Sequence, residues 1–270
     1  MTVCAADCVT PDLAARALEL CLDRCDFADA VLFSDTSVAG RFRSEKIDKL
    51  RSIADYSDFC LRGMPKMIST PFVLVIQWDG YIVDASAWAN AFRKYDYIGA
   101  VVHDKRGTFV GNGGFSLRSR KLLKALPSLP VSRLHEDVVI CQIFRTTLET
   151  KFGIRFAPEK IAERFSYEDQ YTGKATFGFH AAPNLWRHES DAEVLQICRR
   201  MGDGWLTSFF FYGLLQESLG HDRVVLAKSL YSLARQTRSS SVLKNTMAPS
   251  LPRQQVGPVL DLLERGFVGN

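Results

Sequence analysis

Five consecutive residues, Phe72-Val73-Leu74-Val75-Ile76, form an unbroken apolar run rich in β-branched side chains. Such a run has no polar face, so as a strand it must be covered on both sides, as strands are in parallel or mixed sheets sandwiched by helices. Its surroundings fit that architecture. Residues 2–6 and 30–33 are short apolar strand candidates. Between them, Thr10 or Asp12 can cap a helix with Leu13, Ala17, Leu20, Cys21 and Cys25 at helical spacing. A third strand is expected near 46–50, then a helix over 55–68 that buries Tyr56, Phe59, Cys60 and Met67, with Pro65 weakening its last turn. The alternation predicts an α/β sheet flanked by helices.

Downstream of the apolar strand, 88–92 reads as a short helix, 97–102 and 108–110 as strands, and 119–126 and 137–150 as helices. Ile154–Ala157 reads as extended, and Phe177-Gly178-Phe179-His180 as a short alternating aromatic strand. Beyond residue 187 helical periodicity dominates, over 190–201, 205–218 and 222–236. A Ser239–Ser241 linker then precedes a last helix at 256–265. The expected organisation is an α/β domain over 1–187 and a helical extension over 188–270.

The 34 basic and 30 acidic residues give a net charge of +4, too balanced to indicate a nucleic-acid partner. No stretch approaches the ~20 apolar residues of a membrane span, and the first residues lack the basic and apolar regions of a secretory signal. Seven cysteines include two i, i+4 pairs, Cys4/Cys8 and Cys21/Cys25, whose spacing matches no common zinc knuckle. Reduced, packed cysteines and a cytoplasmic location are expected. On 222–244, Lys228, Arg235, Arg238 and Lys244 accompany an apolar stripe of Val225, Leu226, Leu230 and Leu233. Two readings stand: peripheral contact with anionic lipid at the inner face of the membrane or with a partner protein, and a packed helix with a solvated basic face.

Four clusters bear chemistry. Gln77-Trp78-Asp79-Gly80 ends the buried strand, where ligands bind in open α/β sheets; Asp79 is placed either to hold a divalent cation or simply to begin a turn. Gly111-Asn112-Gly113-Gly114 either lets a backbone approach a ligand closely and adopt φ > 0 or simply makes a tight turn. A dinucleotide loop is rejected there, because the next helix starts about five residues too late for that motif. Glu136-Asp137 sits at an expected helix start, as a cap or as a general base with an acidic neighbour able to bind an acceptor hydroxyl. His180 becomes a ligand candidate only beside a carboxylate.

The segments FVLVIQWDGYIVDASAW, YDYIGA, VGNGGFSLRSRKLL, EDVVIC, GIRFAPE and FGFH resemble a bacterial glycosyltransferase-like domain family of the GT-A type, over residues 2–182. The resemblance implies a GT-A-like (Rossmann-like) mixed sheet flanked by helices, with a helical C-terminal extension. It implies transfer of a sugar from a nucleotide-diphosphate donor to a glycan or lipid-linked hydroxyl acceptor, in surface polysaccharide or glycoconjugate synthesis. Asp79 is similar to the last carboxylate of a DxD motif that binds Mn²⁺ or Mg²⁺ on the diphosphate; Gln77 stands where the first Asp would be, beside Trp78. His180 resembles the late histidine that completes such a metal site, and Asp137 the base of inverting transferases with Glu136 as its helper. Asn112, Gly113, Gly114 and Phe115 would line donor and acceptor, and Asp7, Asp35 and Tyr56 the nucleoside. A retaining mechanism stays open. Because Gln77 replaces a carboxylate, so does an inactive nucleotide-sugar or carbohydrate-binding module.

Overall fold

The computed structural model describes residues 1–104, 107–169 and 171–237. They divide into two compact units, one spanning Met1–His180 and one beginning at Ala181. The expected linker at Ser239–Ser241 and helix at 256–265, with Arg238 and Lys244, lie outside the described residues.

The first unit opens with β1 (Thr2–Ala6), α1 (Pro11–Leu22), β2 (Asp29–Ser34) and β3 (Arg43–Lys46). α2 (Ile53–Asp58) runs through a π turn at Phe59–Gly63 into α3 (Met64–Met67), and β4 (Phe72–Ile76) follows. Next come β5 (Tyr97–Ile98), β6 (Val101–Asp104), β7 (Gly107–Val110), β8 (Phe115–Ser119) and α4 (Arg120–Ala125). α5 (Glu136–Val138) passes through a π turn at Val139–Ile143 into α6 (Arg145–Phe152). α7 (Glu159–Phe165), β9 (Ser166–Tyr167) and β10 (Gly178–Phe179) complete the unit.

The main sheet has the order β3-β2-β1-β4-β8-β5. β3, β2, β1 and β4 are parallel, whereas β8 runs antiparallel to β4 and β5. This is the mixed α/β sheet flanked by helices that the sequence predicts. β1 and β4 occupy its centre, and Val3, Cys4, Val73, Leu74, Val75 and Ile76 are almost completely buried. On one face Val31, Phe33, Val73 and Val75 pack with Leu61, Met64, Leu122, Val139 and Ile140 from the helices. At full burial each such aliphatic side chain contributes about 1.5–3 kcal/mol.

Several local expectations shift. The third strand lies at Arg43–Lys46, upstream of 46–50, because pairing rather than apolar content defines it. It pairs with β2 at the sheet edge, where Arg43 bonds Asp29 at 3.0 and 3.1 Å. The helix expected over 55–68 starts at Ile53, after Ser52 accepts a bond from the Asp55 amide. Its π turn inserts extra rotation, so Cys60, Leu61 and Met64 face the core while Met67 is exposed. The strand expected over 97–102 breaks at Gly99-Ala100, because a Cβ on Gly99 would strike the Asn112 carbonyl. Trp88 lies between two 3₁₀ turns at Ala85–Ala87 and Asn90–Lys94, not within a helix. The helix expected over 137–150 is interrupted at Phe144 (φ −111°, ψ 13°).

The second unit contains a 3₁₀ segment (Ala182–Arg187), α8 (Asp191–Arg200), α9 (Phe209–Gly220) and α10 (Val224–Thr237). Its buried residues include Phe211, Tyr212, Leu215, Leu226, Leu230 and Tyr231, with an Arg187–Glu217 pair at 2.9 Å. Val225, expected on the apolar stripe, is exposed; the buried face of α10 is Leu226, Ala227, Leu230, Tyr231 and Ala234. All seven cysteines are unbridged, and burial pushes the thiols of Cys4, Cys21 and Cys198 up to about 12. Among the described residues, no helix is long and apolar enough to cross a membrane.

Candidate active site at the carboxyl edge of the sheet

β1, β2 and β4 point the same way, so the residues after them, Asp7, Asp35 and Gln77, emerge at one edge of the sheet. β8 runs the other way, with Phe115 opposite Ile76. The residues before β8, Asn112 to Gly114, therefore arrive beside the residues after β4. Antiparallel pairing thus brings the glycine cluster next to the Gln77–Gly80 turn, which closes through a Gly80 amide bond to the Gln77 carbonyl at 3.1 Å.

His180 reaches the same place from β10, its amide bonded to the Tyr167 carbonyl at 3.0 Å. Its Nε2 lies 3.0 Å from Gln77 Oε1 and 3.4 Å from Asp79 Oδ1. Its Nδ1 lies 3.0 Å from Glu168 Oε1 and 3.0 Å from Asn112 Nδ2. Asn112 Nδ2 also donates to Glu168 Oε2 at 2.7 Å, and Gln77 Nε2 donates to the Tyr56 hydroxyl at 3.0 Å. Burial alone would lower the His180 imidazole, but Asp79 and Glu168 together hold it well above its ordinary value. Asp79 and His180 are both more than nine-tenths buried.

Asp137 stands on the other side of the glycine loop. Its Oδ2 accepts from the Gly113 amide at 3.2 Å and its Oδ1 from the Val138 amide at 2.7 Å. Burial first, then the neighbouring Glu136, raises its carboxyl to about 6, opposed by the Val138 N–H, His135 and Arg118. Glu136 points elsewhere, pairing through Oε1 with Arg118 Nη2 at 2.7 Å, both groups being buried. Arg118 also bonds Ser116 Oγ at 3.0 Å and the Gly113 carbonyl at 3.3 Å. The acidic neighbour expected to bind a hydroxyl is thus committed to an internal cation, because a buried guanidinium needs a partner.

The glycines serve close approach rather than unusual backbone. Residues 111–114 have no positive φ; a Cβ on Gly114 would fall inside the His180 ring, and one on Gly113 would collide with Glu136. The φ > 0 alternative is thereby corrected. Phe115, expected to line a ligand, is fully buried against Phe165 and Phe177 at 5.2 and 6.0 Å and forms the floor. Trp78 is half-buried in its turn. Asp7 accepts the Val9 and Thr10 amides at 2.7 Å each, organising the entry to α1, and Asp35 lies 3.6 Å from Lys49. Of the three expected nucleoside contacts, Tyr56 alone bonds a residue of this cluster.

Two residues escaped the sequence reading. Glu168 follows the short strand β9, and an acid directly after an aromatic strand was its only sequence signal. Arg118 sits inside the fully buried strand FSLRS, where a charge demands a buried counter-charge. Among the described residues, no group of three or more His, Cys, Asp or Glu side chains is arranged to hold a metal ion. Asp79 and Glu168 face different nitrogens of His180.

Residues 40–180 match a family described as a protein of unknown function, DUF5672. No curated protein matches the chain. Among solved structures, the chain is similar to the galactosyltransferase LgtC in complex with donor and acceptor sugar analogs, at 12% identity and TM-score 0.43, over 67% of this chain and 86% of that one. It is also similar to the active-site mutant Q189E of LgtC, at 11% identity and TM-score 0.43 over the same shares. A third similar structure is A197 from STIV, at 16% identity and TM-score 0.34, over 57% of this chain and 79% of that one.

Proposed function

The chain belongs to the DUF5672 family, whose function is unknown, and from its site we propose that it is a metal-dependent, inverting glycosyltransferase. It moves a sugar from a nucleotide-diphosphate donor to a hydroxyl acceptor on a glycan or lipid-linked carrier, in bacterial surface polysaccharide or glycoconjugate synthesis on the cytoplasmic side. One observation carries this reading. Consecutive residues of one loop touch two different chemical groups: Asn112 the His180 cluster and Gly113 the Asp137 carboxylate. Adjacent Cα atoms are ~3.8 Å apart, so one short stretch of backbone lies beside both the His180 cluster and the Asp137 carboxylate. The resemblance of the QWDG, GNGGFSLRS, EDV and FGFH segments supports the same assignment.

In this reading a divalent cation would be held by Asp79, Gln77 and His180. Gln77 Oε1 and Asp79 Oδ1 both approach His180 Nε2, and an oxygen-rich set with one imidazole suits Mn²⁺ or Mg²⁺. When bound, the cation supplies charge neutralisation for the departing diphosphate. Glu168, itself bonded by Asn112, accepts from the far nitrogen and fixes the orientation of the ring. Asp137 accepts the proton of the acceptor hydroxyl as its oxygen bonds to the anomeric carbon. The nucleoside diphosphate leaves with the electron pair of the broken C–O bond. In this reading Gly113 would orient the base through its amide, and Tyr56, Asp7 and Asp35 would line the nucleoside.

The test is a thermal-shift panel of UDP, GDP, dTDP and CMP, with and without Mn²⁺, on wild type and Asp79→Ala. A ligand at 100 times its Kd stabilises the folded state by about 2.7 kcal/mol. Stabilisation by one diphosphate that needs Mn²⁺ and disappears in Asp79→Ala is the expected result. No response to any nucleotide overturns the reading. Binding of a nucleotide sugar without turnover across an acceptor panel favours the binding-module alternative, which the engagement of Gln77 by both His180 and Tyr56 supports.

A further inference from the structure

At the β5 edge of the sheet lies a cavity of about 810 Å³, bounded by Tyr95, Phe109, Pro158, Arg145, Glu159 and Lys160. None of these residues belongs to the cluster around His180 and Asp137. The two aromatic rings and the proline ring offer apolar surfaces of the kind that cover the C–H face of a pyranose. Arg145 is held in place before any ligand arrives. Its guanidinium lies 4.5 Å from the centre of the Phe156 ring, and its Nε bonds Glu149 at 3.1 Å. A guanidinium so fixed loses little freedom on binding and matches a carboxylate or phosphate with two parallel bonds. Lys160 adds a second cation; Glu159 in the wall and Glu149 on Arg145 Nε balance the two, so an anion would be met by the Arg145 Nη atoms and Lys160 Nζ rather than by a net charge.

The cavity connects to the site along two stretches of chain. Its wall at Thr108–Val110 continues through Gly111 directly into Asn112 and Gly113. Arg145 follows Asp137 by eight residues of largely helical chain, a separation on the order of 10 Å at the helical rise. A short oligosaccharide covers that distance. We infer that this cavity binds a saccharide carrying a carboxylate or phosphate, as the subsite that anchors the acceptor while its reacting hydroxyl lies at Asp137. The acceptor role rests on the transferase reading; the binding itself does not.

The experiment is isothermal titration of the full chain, without nucleotide or metal, with a hexuronate-containing disaccharide, a hexose phosphate and a neutral hexose disaccharide. Wild type, Arg145→Gln and Lys160→Gln are compared, Lys160 being an exposed position at which the fold is indifferent to the change. At least one anionic probe should bind about tenfold or more tightly than the neutral one, with both variants losing that preference, as expected for a charge-assisted contact. Which anionic probe binds distinguishes carboxylate from phosphate. Equal binding of neutral and anionic probes, no binding of any, or an undiminished preference in both variants overturns the inference. Because no nucleotide is present, retained disaccharide binding beside a silent nucleotide panel would count against the transferase reading alone.

Discussion

Asp137 is buried enough to resist ionisation, yet it sits at the edge of the glycine loop. With its carboxyl raised from 3.8 to about 6 by burial and Glu136, and with His135, Arg118, Cys141 and Tyr97 as its other ionisable neighbours, it would serve as the proposed base only above that value. The expected pH profile of kcat/KM therefore falls below about pH 6. The same shift carries a cost in stability. A carboxyl whose folded value is raised favours the fold at low pH, and that contribution is lost as pH rises through about 6. Asp137→Asn should thus lower transfer by about 10²–10⁴ while unfolding no earlier than wild type at neutral pH, its advantage fading towards pH 4 in melts across pH. The Arg118–Glu136 pair makes the opposite bargain. Removing one charge, as in Arg118→Met, strands the other in the interior and should cost about 3–5 kcal/mol in denaturant titration, much of it recovered by Arg118→Met with Glu136→Leu. Asp79, Asp137 and His180 were legible as residue types at strand and helix ends. A separation of 18 positions between Arg118 and Glu136 hid their pairing, since nothing local links a strand charge to an acid that reads equally well as a helix cap.

At the scale of elements, periodicity revealed the strands β1, β2 and β4, because a strand buried on both faces leaves a continuous apolar run. It failed where distant backbone intervenes. The split between β5 and β6 follows from Gly99 meeting the Asn112 carbonyl, and the outward turn of Met67 from one π turn; neither leaves a mark in a window of neighbouring residues. The glycine loop belongs to the same class, since its composition suggested close approach together with special backbone angles, and the structure has only the close approach, to the His180 ring. Gly114→Ala tests this directly. The methyl has nowhere to go, so overpacking should cost about 1–3 kcal/mol and abolish the nucleotide-dependent thermal shift. Because φ at Gly114 is not positive, an unchanged shift would mean that the His180 ring yields to the methyl and the close approach is dispensable.

Across the first unit, the site gathers residues from strands of very different security. Gln77 and Asp79 hang from β4 at the centre of six strands, whereas His180 and Glu168 follow β10 and β9, which pair through only Gly178↔Ser166 and Phe179↔Tyr167. Small sheets open at lower free energy than central ones. Native-state hydrogen exchange should therefore show the His180 amide, bonded to the Tyr167 carbonyl, exchanging faster than amides of β4. The β9–β10 pairing, extended by the Ile82↔Gly178 bridge, would then act as a clasp. Closed, it brings imidazole and carboxylates together; opening it would dismantle the site while leaving the large sheet paired. Apparent affinity for a donor would be the intrinsic affinity scaled by the closed fraction, so loosening this pair would weaken donor binding, and at the fully buried Phe179 it would lower the melting point as well.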